Sequence, residues 1–166
     1  EKRLEIWRKG TLVDIALVDA VFTKQRYGGT KAVWDACDIK SVFVTACHPA
    51  NIGLSSLVGC RMVVRPEDDF GAFAVVNAGK PCRAAFSAGV IESVPVGTVE
   101  RLALDQPFDV VPSEDGMIAL DGEKEVPVKK GAALRLLVRR NGPRRVDIAA
   151  ALEMALQNGF YGAFEE

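Results

Sequence analysis

The sequence predicts a mainly β protein: two packed, largely antiparallel sheets of about ten short strands, with two short helices. Three observations carry this. Short apolar runs rich in Val, Ile, Leu and Phe recur along the chain. Gly, Pro, Asn or Asp punctuate them at near-regular intervals, and helical spacing of apolar residues appears in only two places, near 30–38 and 147–158. The 166 residues contain no internal repeat, low-complexity tract or linker-like shift in composition. They read as a single domain, 1–166.

Taken in order, Leu4-Glu5-Ile6-Trp7 alternates in the strand period, Lys9-Gly10 turns, and Thr11 to Thr23 reads as one long strand-forming segment. Thr30 to Asp38 reads as a helix, capped by Thr30, with Ala32, Val33, Ala36 and Cys37 near one face. Further strands are expected at Ser41–Cys47, Arg61–Arg65, Ala72–Asn77, Cys82–Phe86 and Val90–Leu104. Phe108–Val111, Met117–Leu120, Glu125–Val128 and Leu134–Arg140 complete the series. Asp69-Phe70-Gly71, Asn77-Ala78-Gly79, Glu114-Asp115-Gly116, Asp121-Gly122 and Asn141-Gly142-Pro143 supply the turns. Asp147 is a good N-cap for the last helix, in which Ile148, Ala151, Leu152, Ala155 and Leu156 form an apolar stripe ending at Gly159. Tyr161 and Phe164 are expected to tuck back onto the body.

Composition narrows the function classes. Lys and Arg number 21 against 22 Asp and Glu, a net charge of −1. A protein that grips a nucleic-acid backbone or an anionic membrane carries a basic excess, so neither is the expected main partner. No run is long and apolar enough to span a bilayer. Cys37, Cys47, Cys60 and Cys82 show no C-x-x-C spacing, and read as reduced thiols of a cytoplasmic protein. The amino terminus has no apolar signal core and enters at once into a strand pattern, which suggests a chain cut from something longer.

Candidate chemistry is sparse. His48, in Cys47-His48-Pro49, is the lone His of the chain, so no metal centre is expected. Gly28-Gly29-Thr30-Lys31 lacks the spacing of a phosphate loop and reads as a turn. Arg139-Arg140 and Arg144-Arg145 bracket a turn and could meet a phosphate, although a solvated basic turn explains them as well. The segment Asn51 to Gly59, with Gly53, Ser55 and Ser56, offers small residues and hydroxyls where backbone can approach a ligand closely. Asp121-Gly122 between alternating apolar runs is a strong hairpin signal. The functional alternative is that Asp121 and Glu123 project into a cleft. An extended chain there would send both side chains to one face, where a carboxylate could orient an acceptor hydroxyl and take its proton in phosphoryl transfer.

At these residues the sequence resembles the carboxy-terminal domain of the NAD kinase and diacylglycerol kinase superfamily, and within it the ATP–NAD kinase-like branch that includes acetoin catabolism protein X. The pieces that carry the resemblance are Ile15 to Val21, Ile52 to Gly59, Ile118 to Glu123 and Gly142 to Asp147. They stand in the family's order and span most of the chain. The resemblance implies a two-domain, ATP- and Mg2+-dependent phosphotransferase with NAD as substrate. Its amino-terminal α/β domain holds the ATP phosphates through a Gly-Gly-Asp-Gly-Thr motif that this chain lacks. The present domain would then supply the dinucleotide side and the oligomer contacts. It would have that missing domain as partner and be inactive alone. Asp121 and Glu123 become the catalytic candidates; Asp19, Asn51, Gly53, Ser55, Ser56 and Gly122 become the binding ones. Asp19 keeps the carboxylate of the family's Asn-Glu pair, while Val18 replaces the amide. Asp121-Gly122-Glu123 matches the lipid-kinase-like relatives better than the orthodox NAD kinases. A same-superfamily kinase acting on a sugar, polyol or lipid hydroxyl, or a non-catalytic β module for binding or assembly, are the alternatives.

Overall fold

The computed structural model describes residues 1–24 and 36–162. Among the described residues ten strands make two sheets, joined within each sheet by antiparallel pairing. The first has four strands in the order β2-β1-β10-β7: Thr11–Ala16, Arg3–Arg8, Leu134–Arg139 and Phe108–Val110. The second has six, in the order β6-β5-β4-β3-β8-β9. These are Val90–Ala103, Phe70–Ser87, Ile39–Val44, Asp19–Thr23, Gly116–Leu120 and Lys124–Val128. The expected two-sheet β architecture is the one found.

The two-residue period of the strands sorts side chains into two cores. From β4, Phe43 joins Leu4, Ile6, Leu120 and Leu136 between the sheets, while Val42 and Val44 face the other way. Phe43, Phe73 and Phe108 stack between the sheets with ring centroids 4.6, 4.9 and 5.9 Å apart. On the far side of the six-stranded sheet, Leu57 and Val58 of the helix α1 (Ser55–Gly59) pack with Ala84, Phe86, Val94 and Val96.

Several strand boundaries differ from the sequence expectation, each for a physical reason. Thr11–Thr23 is two strands in different sheets, broken at Leu17-Val18. Ala72–Asn77 and Cys82–Phe86 belong to one strand; Asn77 (φ 60°) and Gly79 (φ 78°) form an irregular step rather than a hairpin. The Asn77 side chain holds that step by donating to the carbonyls of Ala36 and Ile39 at 2.7 and 2.8 Å. Arg61–Arg65 is no strand: only Val64 pairs, with Cys47. Of the helix expected at 30–38, residues 30–35 lie outside the described part, and Ala36–Asp38 is a single 3-10 turn. The last helix, α2 (Ile148–Gln157), starts on Asp147 as expected, its carboxylate accepting from the Ala150 N–H at 3.1 Å. It buries none of its residues, and Tyr161 is 52% exposed rather than tucked back. Phe164 lies outside the described residues.

A buried cation fixes one edge of the sandwich. Lys2 is 3% exposed, and its ammonium donates to the carbonyls of Arg65, Asp68 and Phe70 at 2.9, 2.9 and 2.6 Å. Burial, then the nearby Arg140 charge, pulls its pKa below the ordinary value. Lys2→Met keeps the stem's length and removes the donor that satisfies these acceptors. It should cost about 2 kcal/mol, read as a fall of roughly 5 °C in Tm for a chain of this size. An unchanged Tm would mean that water replaces the ammonium.

Candidate functional site

The β8–β9 hairpin turns tightly at Asp121-Gly122, as the sequence predicts. Both residues have positive φ, 51° and 70°, and the Glu123 N–H closes the turn on the Leu120 carbonyl at 2.9 Å. The chain is therefore not extended through 121–123, and Asp121 and Glu123 do not share one strand face. Glu123 is exposed at the turn. Asp121 instead reaches across to the β2–β3 junction. Its carboxylate accepts the N–H groups of Leu17, Val18 and Asp19 at 2.7, 2.7 and 3.1 Å. Its own N–H donates to the Asp19 carbonyl at 3.0 Å.

This clasp explains why the long apolar segment breaks where it does. At Leu17-Val18 the chain leaves one sheet for the other, and its backbone donors face no neighbouring strand. A carboxylate supplies the acceptors, with the strength of a charged partner. Thr45, just past β4, completes the rim: its N–H donates to Val18 O at 3.0 Å and its hydroxyl to Leu17 O at 2.7 Å. Nothing in the local sequence marks Thr45; only the pairing of β3 with β4 brings it here. Lys124 adds an ion pair to Asp14 of β2 at 3.0 Å.

Asp19 stands out on this rim. Its side chain is half-buried, and among the described residues its carboxylate accepts no hydrogen bond. Burial first, and then the Asp121 charge, pushes its pKa up from 3.8 to about 7. A carboxyl group poised near neutrality can both hold a proton and release one, which suits a hydroxyl-binding or general-base role.

The second candidate segment is the loop from His48 to α1. Gly53 adopts φ 102°, a conformation that favours glycine, and its N–H donates to the Ala85 carbonyl at 2.9 Å. The Ser56 hydroxyl donates to Gly53 O and Ala85 O at 2.6 and 3.2 Å, and Asn51 Nδ2 donates to Ser55 Oγ at 3.2 Å. Ser55 and Ser56 are buried, so the hydroxyls foreseen at the ligand face the loop itself. His48 Nδ1 accepts from the Ala50 N–H at 3.0 Å, leaving Nε2 as the outward ring nitrogen. Gly59 has no room for a side chain, since a Cβ there would lie 2.5 Å from His48 O.

The structure thus joins Asp19, Asp121 and Gly122 at one rim and gathers Asn51, Gly53, Ser55 and Ser56 in a separate loop. The two are consecutive along the chain: Ala46-Cys47 alone separates Thr45 from His48, a span of at most about 11 Å. Of the arginine pairs, Arg140 donates to the carbonyls of Pro66, Glu67 and Asp68 and to Asp69. Arg139 pairs with Glu5 and Asp105, and Arg145 with Glu1. Among the described residues no three His, Cys, Asp or Glu side chains come together as a metal site. None of the described helices is long and apolar enough to cross a membrane.

Comparison with known proteins matches residues 2–141 to the family model of the acetoin catabolism protein X C-terminal domain. The chain is also similar to acetoin catabolism protein X of Cupriavidus necator, 31% identical over 148 residues. That match takes in 86% of this chain and 40% of the relative's own length.

Proposed function

Because the chain belongs to the family of acetoin catabolism protein X C-terminal domains, we propose that it is the acceptor-side and assembly domain of an ATP-dependent, NAD kinase-like phosphotransferase. The observation that supports this reading is the meeting of Asp19 with Asp121, residues 102 positions apart that the resemblance assigns to binding and to catalysis. In that reading Asp121 sets the backbone of residues 17–19, and Asp19 orients the acceptor hydroxyl and takes its proton. Asn51 and Gly53 contact the acceptor from the adjoining loop, and Glu123 stays exposed at the hairpin turn. In the same reading ATP and Mg2+ belong to the preceding domain, to which the resemblance assigns the Gly-Gly-Asp-Gly-Thr motif that this chain lacks.

A second reading, transfer to a different small hydroxyl compound, draws on Val18. It is 47% exposed and offers no side-chain amide where NAD would be held by one. The relative's name points to acetoin, itself a hydroxyl compound, as one candidate to test.

The discriminating experiment is a thermal-shift series with NAD, NADP, ATP, acetoin and simple polyols. A ligand at 100 times its Kd adds about 2.7 kcal/mol of apparent stability, which raises Tm measurably. Selective stabilisation by NAD or NADP supports the dinucleotide reading, acetoin or a polyol the second, and silence towards all of them a purely assembling module. Residues 1–166 alone should transfer no phosphate from ATP to NAD, because the groups around the γ-phosphate are assigned elsewhere. Turnover by the purified chain would overturn that assignment. Light scattering should show a dimer or larger species, and a monomer across a wide concentration range would remove the assembly role.

A further inference from the structure

The helix α1 lies along the second half of β5 and is anchored to it at both ends. Ahead of the helix the Gly53 N–H donates to the Ala85 carbonyl at 2.9 Å, and in its first turn the Ser56 hydroxyl reaches the same oxygen at 3.2 Å. Just past its end, Arg61 donates to the carbonyls of Lys80 and Val96 at 2.7 and 3.1 Å. Helix and strand therefore run in opposite directions, and residues near 60 come to lie beside residues near 82. Cys60, the C-cap of α1, and Cys82 of β5 are the pair brought together. Their sulfurs lie within hydrogen-bond reach of one another, and both pack against the same apolar cluster.

Their surroundings suit thiol chemistry. Cys47, by contrast, is 1% exposed, with its thiol donating to Met62 O at 3.1 Å. Cys60 and Cys82 are each partly exposed. Arg61 and Lys80 line an open hollow of about 360 Å³ between the helix end and the long hairpin. Among the described residues no carboxylate pairs with either cation. Reactive thiols sit in such electropositive, partly open settings, because the thiolate is the nucleophile. Within the pair the roles differ. Burial first, and then the contact with Cys82, pushes the Cys60 pKa from 9.0 up to about 12, so Cys60 keeps its proton and the first attack falls to Cys82.

We propose that Cys60 and Cys82 are a redox modification site, closed to a disulfide by a hydroperoxide. The Cys82 sulfur attacks one oxygen of the O–O bond and becomes a sulfenic acid, while the other oxygen leaves with the thiol proton as water or an alcohol. The Cys60 sulfur then attacks the Cys82 sulfur. The S–O bond breaks, and that oxygen leaves as water with the Cys60 proton. The two sulfurs together lose two electrons, and the hydroperoxide gains them. The new bond ties the end of α1 to β5, whose Ala85 carbonyl already holds its beginning, and a thiol reductant reverses it. This inference does not rest on the phosphotransferase reading.

The test is peptide mapping, without reductant, of the full-length protein treated with hydrogen peroxide and then with iodoacetamide to block the remaining thiols. The peptides carrying Cys60 and Cys82 should emerge joined, and dithiothreitol should separate them. Cys60→Ser removes the closing thiol, so the reaction should stop at the Cys82 sulfenic acid, which dimedone then labels at least roughly 10-fold more than in the wild type. Both thiols alkylated after peroxide treatment of the wild type would overturn the proposal. So would either thiol joined to a different cysteine, or conversion of Cys82 to a sulfinic acid without linkage to Cys60.

Discussion

Asp121→Ala should lower the unfolding free energy by about 3 kcal/mol, or roughly 10 °C in Tm. The carboxylate accepts three backbone N–H groups at the β2–β3 junction, and each such bond contributes about 1 kcal/mol net where water has partial access. Alanine supplies no acceptor, and it must also adopt the positive φ of 51° that Asp tolerates better. The damage falls on the crossing from one sheet to the other, so it is felt by the whole sandwich and not only by the hairpin. Urea unfolding of the two proteins measures it directly. A loss below about 0.5 kcal/mol, the range of ordinary surface changes, would remove the clasp from the account.

Asp121→Asn separates the clasp from the turn. Asn-Gly is as good a hairpin turn as Asp-Gly, so a residue that only turned the chain would tolerate it silently. The clasp forecasts otherwise. Asn offers one acceptor oxygen, and its amide turns N–H donors towards the N–H groups that the second carboxylate oxygen now receives. Stability should fall in the order wild type, Asp121→Asn, Asp121→Ala. Asp121→Asn at or above wild-type stability would show the turn to be all that matters. Activity lost in either variant is chemical in origin only where stability has been matched, because the same carboxylate holds residues 17–19 in place.

How much of this could be read from sequence follows from where each signal resides. The Asp121-Gly122 hairpin was legible because both turn residues are adjacent and flanked by alternating apolar residues. The partner of Asp121 was not, since Leu17 is 104 positions away and takes part through its backbone, which any residue carries. The break at Leu17-Val18 was hidden for the same reason: two apolar residues look like more strand. Helix α1 escaped because all five of its residues are buried, leaving no polar face to reveal a helical period. Asn77-Ala78-Gly79 has the composition of a hairpin turn, and only its contacts with Ala36 and Ile39 show that the strand continues. In α2 the cap and stripe were plain, but an apolar stripe does not say which surface receives it. Asp19 is marked in the sequence by the family likeness alone; that its carboxylate accepts no hydrogen bond among the described residues is a property of the fold.

Asp19→Asn should stabilise the protein at pH 8 and flatten its pH dependence. The pKa of Asp19 is raised from 3.8 to about 7, mainly by burial and next by the Asp121 charge. A raised carboxyl pKa means that the folded state binds the proton more tightly than the unfolded one. Below about pH 4 both states are protonated and Asp19 is neutral in the balance. Between about 4 and 7 the folded state keeps a proton that the unfolded state has released, so stability falls as pH rises. Above 7 both are ionised, and the folded protein carries a half-buried charge that accepts no hydrogen bond among the described residues. Three pKa units correspond to about 4 kcal/mol at most. Glu5 and Asp14 act in the opposite sense: donors hold their pKa values below the ordinary range, despite burial, so their contribution is lost at acidic pH. Their titration lies below the Asp19 window, and a comparison of wild type with Asp19→Asn cancels it. Asn has nearly the same shape and carries no charge. The variant should gain a few kcal/mol at pH 8, while the difference closes towards pH 4. A gain of that size would show that the fold itself does not need the Asp19 charge. In the phosphotransferase reading, the same variant in the full-length protein loses turnover as it gains stability. A variant no more stable than wild type at pH 8, or a difference that does not change between pH 4 and 8, would show that Asp19 is an ordinary surface carboxylate.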